Sequence, residues 1–299
     1  MRWKSDNAGV AAAAIAFAVW GLFPVYFHLL HRVSAFQVVA HRVVWCYLVV
    51  FIWIIVRGEL AAVRAALADR SVVWRLAVTA TLVTGNWLVY VWAVINDRVV
   101  EASLGYFIGP LVNVLLGVIL LSERLTRAQW TAVALAASGV GYLTITTGAL
   151  PWIALTLATF FAVYGLLRKV VKVESLPGLA VETLVLLPVA AGYLLWCEIA
   201  GTGALGHDGP AISALLIGSG PLTAITLFLY AYGTRLLPYS MVGLLQYIAP
   251  TLQFACGVLV LHEPFSGSRA IGFGIIWSAL LIYAGEGVRL SRLQQQAVS

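Results

Sequence analysis

Ten apolar stretches, each about the length a helix needs to cross a bilayer, follow one another along this 299-residue chain. They cover about 9–30, 36–56, 72–95, 99–121, 128–147, 150–167, 178–198, 211–232, 239–261 and 268–288. In hydrocarbon every backbone N–H and C=O must find its partner within the protein, so spanning segments of this length are helices. The pattern predicts an all-α integral membrane protein with ten transmembrane helices. The sixth stretch is short, and its boundary with the fifth, near Gly148 and Pro151, is the least sharp. Only the connection at 57–71 is long enough for a surface helix (RGELAAVRAALADR). Charged residues make up 10% of the chain, against about a quarter in a soluble domain, which excludes that class. The first apolar run is long enough to span and is expected to be retained, unlike a cleavable signal.

Basic residues set the orientation. An internal start places both termini and the even-numbered loops in the cytoplasm. Fourteen of the eighteen Lys and Arg fall on that side; Arg32, Arg98 and Arg269 fall outside, and Arg42 lies within span 2. This split favours cytoplasmic termini strongly. The net charge of +6 reports topology and gives no reason to expect nucleic acid as a partner. Cys46, Cys197 and Cys256 sit in or at the ends of apolar runs without metal-ligand spacing, so neither disulfide nor zinc is expected. No Walker motif, HExxH, nucleophile elbow or dinucleotide fingerprint occurs, so neither cofactor, catalytic residue nor ATP-driven pumping is expected.

The chain also repeats itself. Residues 104–123 (LGYFIGPLVNVLLGVILLSE) align without a gap on 244–263 (LLQYIAPTLQFACGVLVLHE), with seven identities that include Pro110/Pro250, Gly117/Gly257 and Glu123/Glu263. FAVWGL at 17–22 echoes FAVYGL at 161–166, and Tyr90 and Tyr230 fall in register with the first offset. Such self-similarity marks a duplication. Two repeats are expected, at 8–148 and 149–288, followed by a polar cytoplasmic tail at 289–299 without fixed structure. Five spans per repeat is an odd number, so the second copy enters from the opposite side. Inverted repeats of this kind frame the midplane substrate site of many secondary transporters.

Candidate site residues are the polar groups that are costly in these spans. Tyr106, Pro110 and Asn113 share a helix face at i, i+4 and i+7; Gln246, Pro250 and Gln253 repeat that stripe. Proline frees a backbone carbonyl, which fits a pathway-lining helix; interhelical packing through the amides is the alternative. His41 and Arg42 lie some six residues into span 2, roughly 9 Å deep. Glu182 lies at the matching depth of span 7, on the inverted copy. Arg42 and Glu182 are read either as an ion pair, as contacts to the two ends of a zwitterionic substrate, or as side chains snorkelling to opposite headgroup layers. Asn86 and Tyr90, with Trp87, sit far from the ends of span 3 and would line a cavity for a flat or amphipathic small molecule. Trp20 and Pro24 of span 1 make a similar wall; core packing is the alternative for each residue. Glu101, Glu123, Glu198, Glu263 and Glu286 lie at span ends, where access to water and capping or loop anchoring are expected. His28, His31, His207 and His262 form no cluster.

These residues sit in segments that resemble the RarD branch of the EamA-domain drug/metabolite transporter superfamily. The carrying segments are AVWGLFPVYF, VSAFQVVAHRVVW, GNWLVYVWAVINDRVVEASLGYFIGPLVNVLLGVILLSERL and PWIALTLATFFAVYGLLRK. The resemblance covers about 8–290. It implies ten helices in two inverted EamA repeats, a bacterial inner-membrane location and a role as a permease; it carries over no site residue. The expected function is secondary transport, in the export direction, of a small metabolite or drug-like compound. Membrane lipids surround the protein, and proton coupling through His41 or Glu182 stands beside uncoupled transport. The alternative functions are an integral-membrane enzyme or lipid-modifying protein without a recognisable motif, and a non-transporting receptor or assembly partner.

Overall fold

The computed structural model describes residues 7–121, 125–171, 173–237, 241–242 and 245–298. The chain is helical, with no strand among the described residues. In order it forms α1 (Asn7–His28), α2 (Ala35–Arg57), the surface helix α3 (Leu60–Ala68), α4 (Arg70–Ile95), α5 (Val99–Leu121) and α6 (Arg127–Thr147). Then come α7 (Trp152–Val170), α8 (Ser175–Ile199), α9 (Pro210–Leu236), α10 (Ile248–Ala255, extended by a π turn over Cys256–Val260) and α11 (Gly267–Val298). Seven of these are long and apolar enough to cross a membrane, and α7 and α10 are shorter apolar helices. α6 has 21 residues, but Gln129, Thr131, Ser138 and its threonine-rich end dilute its hydropathy.

Local chemistry explains the boundaries. Ser34 accepts from the Gln37 amide to start α2, and Asp69 accepts from Ser71 at 2.8 Å to start α4. Thr126 and Gln129 form a reciprocal capping box on α6, which ends at Gly148 with φ 68°.

Two expectations are corrected. The ninth span, expected to be continuous over 239–261, is broken: Gln246 and Tyr247 form a turn and α10 begins only at Ile248. Pro250 fits this break: it sits in the first turn of α10, where its missing N–H is not needed, and it leaves the Gln246 carbonyl in the turn without a helical donor. The tail after Arg289 continues α11 as far as Val298. Its Arg, Leu, Gln and Ala residues are strong helix formers.

The helices pack in a reciprocal pattern. α1 lies on α9 and α10, and α7 lies on α4 and α5; α2 packs on α9, and α8 packs on α4. Three further pairs, α2 with α8, α5 with α10 and α6 with α11, complete the bundle. For each of these principal pairs the counterpart stands five spans on. α2 and α8 run antiparallel: Gln37 near the start of α2 bonds Thr202 beyond the end of α8, whereas Val50 and Ile54 cluster with Ala180 near the start of α8. Small residues permit the closest approaches. A Cβ on Gly220 of α9 would collide with the Trp45 and Cys46 backbone of α2, and one on Gly105 of α5 would stand 2.7 Å from the Ala154 carbonyl of α7.

Candidate functional site

Arg42, seven residues or about 10 Å along α2, turns inward and is only 3% exposed. Its Nε donates to Thr223 Oγ1 of α9 at 2.8 Å. The guanidinium lies over the Trp87 ring at 4.1 Å, with Phe23 and Phe27 at 5.3 and 5.4 Å. Tyr26, Tyr90 and Tyr106 stand within electrostatic reach. Among the described residues no carboxylate lies within ion-pair distance of Arg42, so the expected alternatives of snorkelling and of pairing with Glu182 are both replaced.

Glu182 occupies the corresponding place on α8, nearer the other face of the bundle, and is 1% exposed. It accepts from Thr79 of α4 at 2.7 Å and lies 3.6 Å from Arg168 Nε of α7. Its Oε2 and Arg168 Nη1 are buried without a hydrogen bond, although the Tyr164 hydroxyl stands nearby. Arg42 and Glu182 are therefore set alike and opposite in charge, one on α2 meeting a threonine of α9 and the other on α8 meeting a threonine of α4. Of the two, only Glu182 has a counter-ion among the described residues, Arg168. Arg168, Thr79 and Thr223 escaped the sequence reading. Arg168 sits where a loop cation is expected, and threonine is unremarkable in an apolar run.

Asn86, Tyr90 and Tyr106 come together. Tyr106 donates to Asn86 Oδ1 at 3.1 Å, Asn86 Nδ2 donates to the Leu157 carbonyl at 3.0 Å, and the Tyr90 ring packs edge-on against Tyr106 and Phe27. The Tyr90 hydroxyl is buried without a partner. The two proline stripes differ from one another. Gln253 is buried, with Nε2 donating to the Trp20 carbonyl at 3.2 Å. That carbonyl lacks its helical donor because Pro24, four residues on, has no N–H. Asn113 is exposed on α5. Its opposite helix α7 carries Arg168 where α1 carries Pro24, so it has no proline-freed carbonyl to bind. Gln246 lies in the turn before α10 and does not share a helix face with Pro250 and Gln253. His41 is buried on α2 beside Arg42, without a described hydrogen bond.

The end-of-span glutamates anchor structure, but not all meet water. Glu263 is buried and accepts from the Val99 and Val100 amides at 2.5 and 2.8 Å, capping α5; Glu286 is buried beside Arg289. Glu101 accepts from the Ile153 amide at the start of α7, and Glu198 pairs with His207 at 2.9 Å. Glu123 lies outside the described residues. Gln37, also unforeseen, holds both the Thr202 carbonyl and the Ala204 amide. Clefts of about 190 and 290 Å3 open between α4 and α7 around Arg75 and Val171, away from Arg42.

The sequence model of the EamA-like transporter family matches residues 7–145. An "Uncharacterized transporter" of Vibrio cholerae is 40% identical over 98% of this chain and 97% of its own. "Protein RarD" of Salmonella typhi is 41% identical over 97% and 98%. "Uncharacterized transporter YojE" of Bacillus subtilis is 40% identical over 98% of both chains. A solved crystal structure at 20% identity superposes with a TM-score of 0.60 over 92% of this chain and 96% of that one, a likeness of fold.

Proposed function

This chain belongs to the EamA-like transporter family and is a multi-pass membrane transporter of the bacterial inner membrane with a small-molecule substrate; from that premise we propose that it is a secondary carrier built from two inverted five-helix repeats, 8–148 and 149–288. Substrate passes between the halves by alternating access, in the export direction, with both termini in the cytoplasm and no enzymatic step. The observation that carries this reading is the pairing of Arg42–Thr223 with Glu182–Thr79 near opposite ends of antiparallel α2 and α8. Charges buried at these positions are costly, which marks them as pathway groups in this reading. The reciprocal packing supports the two-repeat division, since exchanging the halves maps each of the principal helix pairs onto another or onto itself. The substrate-contacting set is then Arg42, His41, Asn86, Tyr90 and Tyr106, with Asn113 and Gln246 further along the path and Gln253 bracing α1. Glu182 with Arg168 forms the second station, and a proton on Glu182 is the means of coupling.

Purified protein in liposomes, loaded with a panel of anionic, neutral and cationic metabolites, tests this directly. Gradient-driven efflux that runs without ATP and fails in empty liposomes is expected. Absence of flux for every compound would refute the carrier. Proton coupling further requires that flux vary with pH in the wild type and lose that variation in Glu182→Gln.

A further inference from the structure

Arg42 is the one fully buried arginine among the described residues. Guanidinium stays charged in proteins, and burying a cation without an anion is unfavourable. The aromatic faces of Trp87, Phe23 and Phe27 offset part of this, and Thr223 takes Nε. The Nη end of the fork is left for another acceptor. Every described ion pair places its carboxylate elsewhere: Glu182 on Arg168, Glu198 on His207, Glu101 on Arg98, Asp97 on His28, Glu59 on Arg57 and Glu286 on Arg289. Within electrostatic reach of Arg42 is the Tyr90 hydroxyl, buried and without a hydrogen-bond partner. The layer thus holds one unneutralised positive charge, a planar donor pair and one spare O–H donor within an apolar, aromatic wall.

We propose that the Arg42 cluster binds the carboxylate of a small organic acid whose body is apolar. One fixed positive charge matches one negative charge, and the guanidinium fork matches the two oxygens of a carboxylate. A dianionic phosphate would call for a second permanently charged cation, and the only other buried basic residue described is His41, an imidazole that is mostly neutral at neutral pH. The same layer offers no described carboxylate for an ammonium group, so the zwitterionic alternative gives way to a simple acid. The inference deepens the carrier reading and rests on it for its purpose, but binding is measurable without transport.

The test is equilibrium binding of radiolabelled benzoate to the purified full-length protein in detergent, with matched acids and amides as competitors. Saturable binding displaced by hexanoate, and not by benzamide or hexanamide, is expected. Arg42→Gln weakens it by roughly ten- to a hundredfold, the share of a charge-assisted pair, and Arg42→Lys falls between. Amides competing as well as acids, no saturable acid binding, or unchanged affinity in a folded Arg42→Gln would each overturn the proposal. Should Arg42→Gln fail to fold, the acid–amide comparison in wild type decides. Acid binding without any liposome flux strikes the carrier reading alone; flux of neutral or cationic compounds without acid binding strikes this inference alone.

Discussion

At Arg42 the guanidinium plane does two jobs at once: it stacks on Trp87 and presents a fork to one side. Lysine keeps the charge but loses both the plane and the paired donors. Arg42→Lys is therefore expected to reach the membrane at normal levels and lose most transport, read as initial flux in liposomes; near-wild-type flux would make Arg42 a packing residue. Gln253 tells the opposite story. It supplies the hydrogen that Pro24 cannot, so Gln253→Ala should cost about 1–2 kcal/mol of stability, and Pro24→Ala in that background should restore a good part of it. Thermal unfolding of the four proteins in this double-mutant cycle checks the coupling; strictly additive effects would refute it. Arg42, Asn86 and Glu182 were legible in the sequence because a charge or an amide is anomalous in an apolar run. Thr79 and Thr223 were not, since a threonine in a helix can satisfy itself on its own backbone, as Thr223 also does on Ser219 at 2.7 Å. Gln253 was singled out for the right helix but for a pathway face, because the freed carbonyl it meets lies 233 residues away.

Pro110 and Pro250 show how one motif yields two elements. α5 runs through Pro110 unbroken, whereas α10 starts afresh just before Pro250 and ends in a π turn. The echo was plain in the letters; the break was not, because it depends on what the neighbouring helices supply to the freed backbone. Glu263, just beyond that π turn, ties the end of α10 to the start of α5 by capping α5. Burial lifts its carboxyl above the ordinary value, against the pull of the Val100 and Val99 amides. Since the folded value is the higher one, the proton is held more tightly in the folded state. The stability this contributes is complete below the unfolded value and fades as pH rises through the folded value. The unfolding midpoint of the wild type should thus fall, relative to Glu263→Gln, as pH rises from acid toward neutral. Glu263→Ala should cost about 1 kcal/mol more, as lost helix caps do; a midpoint difference independent of pH would refute the titration.

For the molecule as a whole, the arginine count in the loops predicts that a reporter active only in the cytoplasm, fused to the C-terminus, gives signal; a silent but well-expressed fusion would refute the orientation. The fold class was legible because hydrocarbon leaves the backbone so few options, and the reciprocal packing was foreshadowed by the echo between 104–123 and 244–263. Which helix meets which was not, since apolar faces of similar width carry no address. In the event, α6 finds its principal partner in α11, the last helix of the chain, and α1 finds its partners in α9 and α10. For the ribosome this means that the first five spans enter the bilayer with their binding faces open to lipid. They wait there for helices still to be synthesised, so any pause or truncation ahead of α11 leaves α6 without its principal partner.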